Sequence, residues 1–178
     1  MTILYIILLV LGSLIALVLI IGFLSPRYTN LERSIEIKAT KEKVFHEFLD
    51  YRSFVKNWSP WTDKDLSAEQ HFSGPELAVG SHYRWKGHPK KVGSGSMTIT
   101  SIKANETVVS HLVFDGRGES DVTFHIMDAG NGTVKVTWGF HSDNKSNPMA
   151  RLFGRFMEKF LGPDFEDGLK RLKAFCEK

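Results

Sequence analysis

Only one cysteine, Cys176, occurs in the 178 residues, so no disulfide can staple the chain to itself and no four-thiolate zinc site can be assembled. The lone thiol agrees with a reducing compartment. The formal charge is +3 and no long basic run is present, which leaves no surface for tracking a phosphate backbone, so nucleic acid is not an expected partner. The seven histidines share no close metal-ligand spacing, and neither a protein-bound metal nor another cofactor is expected. No Gly-x-Ser-x-Gly elbow passes from a strand into a helix, because Gly93-Ser94-Gly95-Ser96 runs on into the strand pattern Met97-Thr98-Ile99. Dinucleotide and phosphate-loop fingerprints are missing, as is any internal repeat.

Charge of either sign is absent from Ile3 to Leu24, where 17 of the 22 positions are Leu, Ile, Val or Phe. A helix over this run spans roughly 30 Å, the thickness of a bilayer hydrocarbon core. A cleaved signal peptide needs a basic n-region, a shorter apolar stretch and a small-residue cleavage site, none of which is found here. The expectation is a single-pass membrane anchor over residues 1–25 followed by one domain over 26–178. Arg27, Arg33, Lys38, Lys41 and Lys43 follow the run and no Lys or Arg precedes it, so the domain is expected on the cytoplasmic side of the cell membrane.

Beyond the Ser25-Pro26-Arg27 linker, Ser34 to Ala39 alternates with the period of a half-buried strand. Thr40 can cap a helix carrying Val44, Phe45, Phe48 and Leu49 on one face, and Tyr51 to Trp58 reads as a second short helical segment. Turn chemistry at Ser73-Gly74-Pro75, Gly87-His88-Pro89, Asp115-Gly116 and Gly130-Asn131-Gly132 then separates six expected strands. These are Glu69–Phe72, Ser81–Lys86, Ser94–Ile102, Thr107–Phe114, Ser120–Met127 and Thr133–His141. Asn147 as N-cap and Pro148 as first residue introduce a helix to Leu161, whose stripe Met149, Leu152, Phe153, Phe156, Met157 and Phe160 is expected to cover the core. Gly162-Pro163-Asp164 is expected to end that helix and begin another, with Phe165, Leu169, Leu172 and Cys176 facing the sheet.

This order, strand, two short helices, antiparallel meander and long last helix, is that of an α+β helix-grip fold, a curved antiparallel sheet wrapped around the C-terminal helix. The segments Asn57-Trp58-Ser59-Pro60-Trp61, Phe72-Ser73-Gly74-Pro75 with Val79-Gly80, Gly93 to Ile99, Val136-Thr137-Trp138 and Phe160 to Glu166 resemble bacterial, membrane-anchored, polyketide cyclase/dehydrase-like members of the SRPBCC (START-like, helix-grip) superfamily. The resemblance covers Leu31 to Lys173. It implies the fold but not the chemistry, since one fold hosts many functions.

Strand phase sorts the side chains. His82, His111, His125 and His141 take the phase opposite the bulky apolar residues and should face outward, and His46 sits off the apolar face of its helix, so none of the five reaches an interior substrate as a general base. The inward phase offers Tyr83, Trp85, Met97, Ile99, Leu112, Phe114, Phe124, Trp138 and Phe140, which either fill a solid core or line a pocket for a lipid-like or other hydrophobic small molecule. Trp58 and Trp61 flank Pro60 and either close one entrance of such a pocket or staple the corner. The alternative functions are a cyclase/dehydratase-type enzyme using Tyr83 or Ser110 with ordered water, and an interaction module resembling chaperone-ATPase activators. Arg151, Arg155 and Lys159 on the 148–161 helix, with Lys86, Lys90 and Lys91 on a hairpin, form either a solvated surface or one resting on anionic headgroups.

Overall fold

A computed structural model describes residues 2–178. The uncharged run forms helix α1 (Thr2–Leu24), along which the large side chains are exposed apart from half-buried Val18, and only Gly22 is buried. Seven antiparallel strands follow: β1 (Tyr28–Ile37), β2 (Glu69–Ser73), β3 (His82–Lys86), β4 (Ser94–Lys103), β5 (Thr107–Phe114), β6 (Gly118–Gly130) and β7 (Thr133–Asp143). Their spatial order is β1-β7-β6-β5-β4-β3-β2, a meander that the first strand closes by pairing with the last. Between β1 and β2 lie α2 (Lys41–Leu49) and α3 (Tyr51–Ser53), the latter continued by a π-helical turn at Phe54–Trp58. After β7 come α4 (Pro148–Gly154) and α5 (Met157–Cys176).

Alternation at period two generates the sheet, because an inner face lined by Val122, Phe124 and Ile126 of β6 and Val134, Val136, Trp138 and Phe140 of β7 buries apolar surface only in this register. A bulge at Thr100 shifts the phase of β4, so that Ile99 and Ile102 both pack on the core. Asn131 and Gly132 adopt positive φ in the β6–β7 turn, which the right-handed twist of a tight hairpin favours. Thr40 caps α2 by accepting from the Lys43 amide, as its position predicts. Phe165, Leu169, Leu172 and Cys176 of α5 are buried against the sheet, and Gly168 allows the closest approach: a Cβ there would stand 2.6 Å from the Trp138 ring.

Three expectations change. β1 begins at Tyr28 rather than Ser34, because pairing with β7 runs unbroken from Tyr28–Asp143 to Ile37–Val134 and stabilises the polar first half of the strand. The C-terminal helices divide at Arg155-Phe156 instead of Gly162-Pro163, since Gly154 packs directly on Thr29 of β1 and the Phe156 amide closes a short turn onto the Phe153 carbonyl. Pro163 stays inside α5, where it is exposed. The stripe of the 148–161 segment covers the core only in part: Leu152 and Met157 are half-buried, with Met157 packed on the core, whereas Met149, Phe153, Phe156 and Phe160 are 51–62% exposed. What α4 turns toward the protein is its small-residue side, with Gly154 against Thr29 and the Pro148 backbone against Gly22 of α1.

Candidate functional site

Helix spacing builds one wall of the interior. Positions 47, 51, 54 and 58 recur every three or four residues, so Glu47 of α2, Tyr51 of α3, and Phe54 and Trp58 of the π-helical turn all point at the sheet. Asp50 caps α3 by accepting from the Arg52 and Ser53 amides. The π turn is fixed by the Ser59 amide donating to the Phe54 carbonyl at 2.8 Å, an i to i−5 bond of the kind that recurs at functional sites. Phe54 meets Trp58 edge-on at 4.5 Å between centroids, Trp58 meets Trp138 at 5.8 Å, and Trp138 stacks on Phe165 at 4.1 Å.

The residues assigned inward by strand phase face inward, and so do the two tryptophans that flank Pro60. Trp58, Tyr83, Trp85, Met97, Ile99, Leu112, Phe124, Trp138 and Phe140 are buried, and Trp61 and Phe114 are partly buried. They do not surround an open hollow. The rings touch one another, and the void lined by Glu47, Phe48, Tyr51, Phe54, Trp58, Met97 and Phe124 has a volume of about 10 Å³, at the lower bound for one water. Of the residues expected to line a pocket, only Trp58, Met97 and Phe124 border this void. Glu47, Phe48, Tyr51 and Phe54 were not anticipated there, although their i, i+4, i+7 recurrence with Trp58 carries the signal.

Polar groups divide into those with partners and those without. The Tyr51 hydroxyl donates to Ser110 Oγ at 2.9 Å, the Tyr83 hydroxyl donates to Gln70 Oε1, and burial pushes both phenols above their ordinary pKa range. Glu47 accepts from the Ser53 hydroxyl, which in turn accepts from the Asn57 amide at 2.8 Å. Trp61 donates its indole N–H to Asp164 at 2.8 Å, stapling the corner to α5, and Trp85 donates to the Val92 carbonyl at 3.2 Å. The indole N–H groups of Trp58 and Trp138, in side chains each 1% exposed, have no acceptor. A buried donor left without a partner costs about 1–3 kcal/mol.

The outer face holds the imidazoles. His82 bonds Thr98, His111 faces Asp121 and Glu119, His125 bonds Thr107, and His141 bonds Asn30 while stacking on Tyr28. Among the described residues, no three His, Cys, Asp or Glu side chains gather as a metal site would require.

A family model described as "polyketide cyclase / dehydrase and lipid transport" matches residues 28–177. No curated protein matches the sequence significantly. Among solved structures, ginseng major latex-like protein 151 from Panax ginseng is similar over 85% of this chain and 99% of its own, at 19% identity and a TM-score of 0.57. Truncated norcoclaurine synthase from Thalictrum flavum covers 83% of this chain with 92% of its own, at 11% identity and a TM-score of 0.59. A Staphylococcus aureus protein of unknown function matches over 84% of this chain and 95% of its own, at 14% identity and a TM-score of 0.61. At such identities the likeness is one of fold.

Proposed function

The chain belongs to the polyketide cyclase/dehydrase and lipid transport family, and from that premise we propose that it is a membrane-anchored binding protein for a hydrophobic small molecule that carries an acceptor oxygen. The observation that carries this reading is the pair of buried indole donors without a protein acceptor, Trp58 and Trp138, whose rings meet at 5.8 Å between centroids in a mainly apolar interior. A carbonyl, ester or quinone oxygen brought to them satisfies a donor that the protein leaves unpaired, while the rest of the molecule takes up contacts with Phe48, Phe54, Met97 and Phe124. Entry requires those rings to part. The π-helical turn carrying Phe54 and Trp58 is the element suited to yield, because its i to i−5 bonding is the least regular hydrogen bonding in that wall.

Anchoring rests on α1, the one helix among the described residues long and apolar enough to cross a bilayer. The positive flank following it favours a cytoplasmic domain. An enzymatic role for Tyr83 or Ser110 has less support: both hydroxyls already have partners, and the raised pKa of Tyr83 moves it further from the range of a general base.

The test is native mass spectrometry of the full chain released from its own membrane in nanodiscs. We expect a retained neutral apolar molecule. Trp58→Phe should weaken retention by about 0.5–1.5 kcal/mol, from a few-fold to roughly tenfold, as loss of one neutral hydrogen bond predicts. Trp61→Phe, whose N–H already serves Asp164, should leave retention unchanged. A chain that emerges empty and whose tryptophan emission ignores added quinone and fatty ester would count decisively against the reading.

A further inference from the structure

The seat of α4 is inverted for a helix in water. Two close contacts hold it: a Cβ on Gly22 would stand 2.4 Å from the Pro148 carbonyl oxygen, and one on Gly154 would stand 2.1 Å from the Thr29 hydroxyl. With these positions fixed, the large residues Met149, Phe153 and Phe156, and Phe160 one turn into α5, must face away from the domain. At Met149 this surface meets α1. Met149 lines one wholly apolar groove with Leu14, Ile15, Val18 and Leu19, and Phe23 and Leu24 at the end of α1 are exposed as well.

Length then decides how deep this groove lies. At ~1.5 Å per residue the 23 residues of α1 measure about 35 Å, against roughly 30 Å of hydrocarbon, so the helix has only about three residues to spare. Leu14 to Leu19 lie five to ten residues before Leu24, about 8–15 Å along the axis, and therefore below the hydrocarbon boundary when α1 spans. Met149, beside them, goes with them.

The end of α1 is finished for such a setting. The last carbonyls of a helix ordinarily take their hydrogen bonds from water or a cap. Here the Ile21 carbonyl accepts from the Ser25 hydroxyl at 2.7 Å, the Gly22 carbonyl from the Ser25 amide at 3.1 Å, and the Phe23 carbonyl from Arg151 of α4 at 3.2 Å. Protein donors replace water at the place where lipid would deny it. Among the described residues, the exposed side chains of Arg155 and Lys159 make no hydrogen bond or ion pair, leaving both cations available at the level of lipid phosphates.

We propose that α4 and the first turn of α5 form a second membrane-contacting element, a foot whose Met149, Phe153, Phe156 and Phe160 enter the headgroup and acyl boundary of the bilayer that α1 spans. The inference rests on the reading of α1 as a membrane span. It adds that the domain is held against the lipid in one orientation instead of swinging on its linker.

The full chain, reconstituted into phosphatidylcholine–phosphatidylglycerol vesicles, tests this with an environment-sensitive fluorophore attached through Phe153→Cys or, separately, His125→Cys on the outer face of the sheet. Cys176 is buried and stays unlabelled. Both replaced side chains are exposed, so folding is undisturbed, which circular dichroism checks. The foot predicts that the label at 153 is several-fold less quenched by aqueous iodide than the label at 125, and is quenched by shallow nitroxide lipid. Equal iodide quenching at both positions, in chains that float with the vesicles, overturns the foot and leaves the anchor standing. Protection from iodide without quenching by nitroxide lipid also overturns it, because a second protein would then cover the face. Failure of the chain to float at all removes the anchor and the foot together.

Discussion

The Trp61 indole N–H finds Asp164, whereas those of Trp58 and Trp138, more deeply buried, find no acceptor in the protein. Strand alternation revealed that Trp138 faces inward, but phase carries no information about hydrogen-bond partners, which come from α5 and from the corner after α3. The same limit applies to Asp65, whose buried carboxylate accepts from the His88 amide at 2.7 Å and the Ser67 hydroxyl at 2.7 Å. The His88 amide, then Ser67, hold its pKa down to about 2. Because the folded value lies below the unfolded value near ~3.9, the stabilisation is complete above that pH and lost as pH falls through about 2. Asp65→Asn should therefore flatten the acid-unfolding curve of the wild type between about pH 4 and 2, followed by circular dichroism. Cys176 gives the opposite case. Burial foremost pushes its thiol up to about 11, so a thiol reagent at pH 8 should leave it unmodified until denaturant is added.

At the scale of elements, the strands and the core face of α5 were legible because their period and the buried phase coincide. Gly168 shows how tightly the last helix is fitted: a Cβ there meets the Trp138 ring at 2.6 Å and Pro60 at 3.2 Å. Gly168→Val should cost about 1–3 kcal/mol by overpacking, read as a lower midpoint in chemical unfolding. The misjudged element was α4. The exposed residues at 149, 153, 156 and 160, which run from α4 into α5, have the period of a core-covering helix, and periodicity identifies an apolar face without saying whether protein or lipid covers it. Gly22 of α1 and Gly154 of α4, whose close contacts select between the two, lie far apart in sequence, and their partners Pro148 and Thr29 reach them only in the folded chain. The filled interior was equally out of reach, since the same inward aromatics suit a pocket or a solid core, and the helical wall at Glu47, Tyr51, Phe54 and Trp58 decides between them.

For the whole molecule, a helix with large side chains exposed along its length and a domain with a buried core demand different solvents. Alkaline carbonate should leave the full chain in the membrane pellet, because binding through α1 is not electrostatic. Protease added to sealed, cytoplasm-in vesicles should spare the domain and digest it once the bilayer is opened; cleavage in the sealed state would reverse the orientation assigned from Arg27, Arg33 and the lysines that follow.

Between Leu24 and Tyr28 stand only Ser25, Pro26 and Arg27, and the Arg27 guanidinium is clamped to Asp143 by two contacts of 2.6 Å. Three residues reach about 10 Å at full extension, and this stretch is already committed. With α1 in a bilayer, the domain stays within about 10 Å of that surface, and on the binding reading proposed above its ligand would pass only to the adjoining leaflet or to a carrier that comes to it. The protein would then be a stationary berth, with traffic to any second membrane left to a different, freely diffusing molecule.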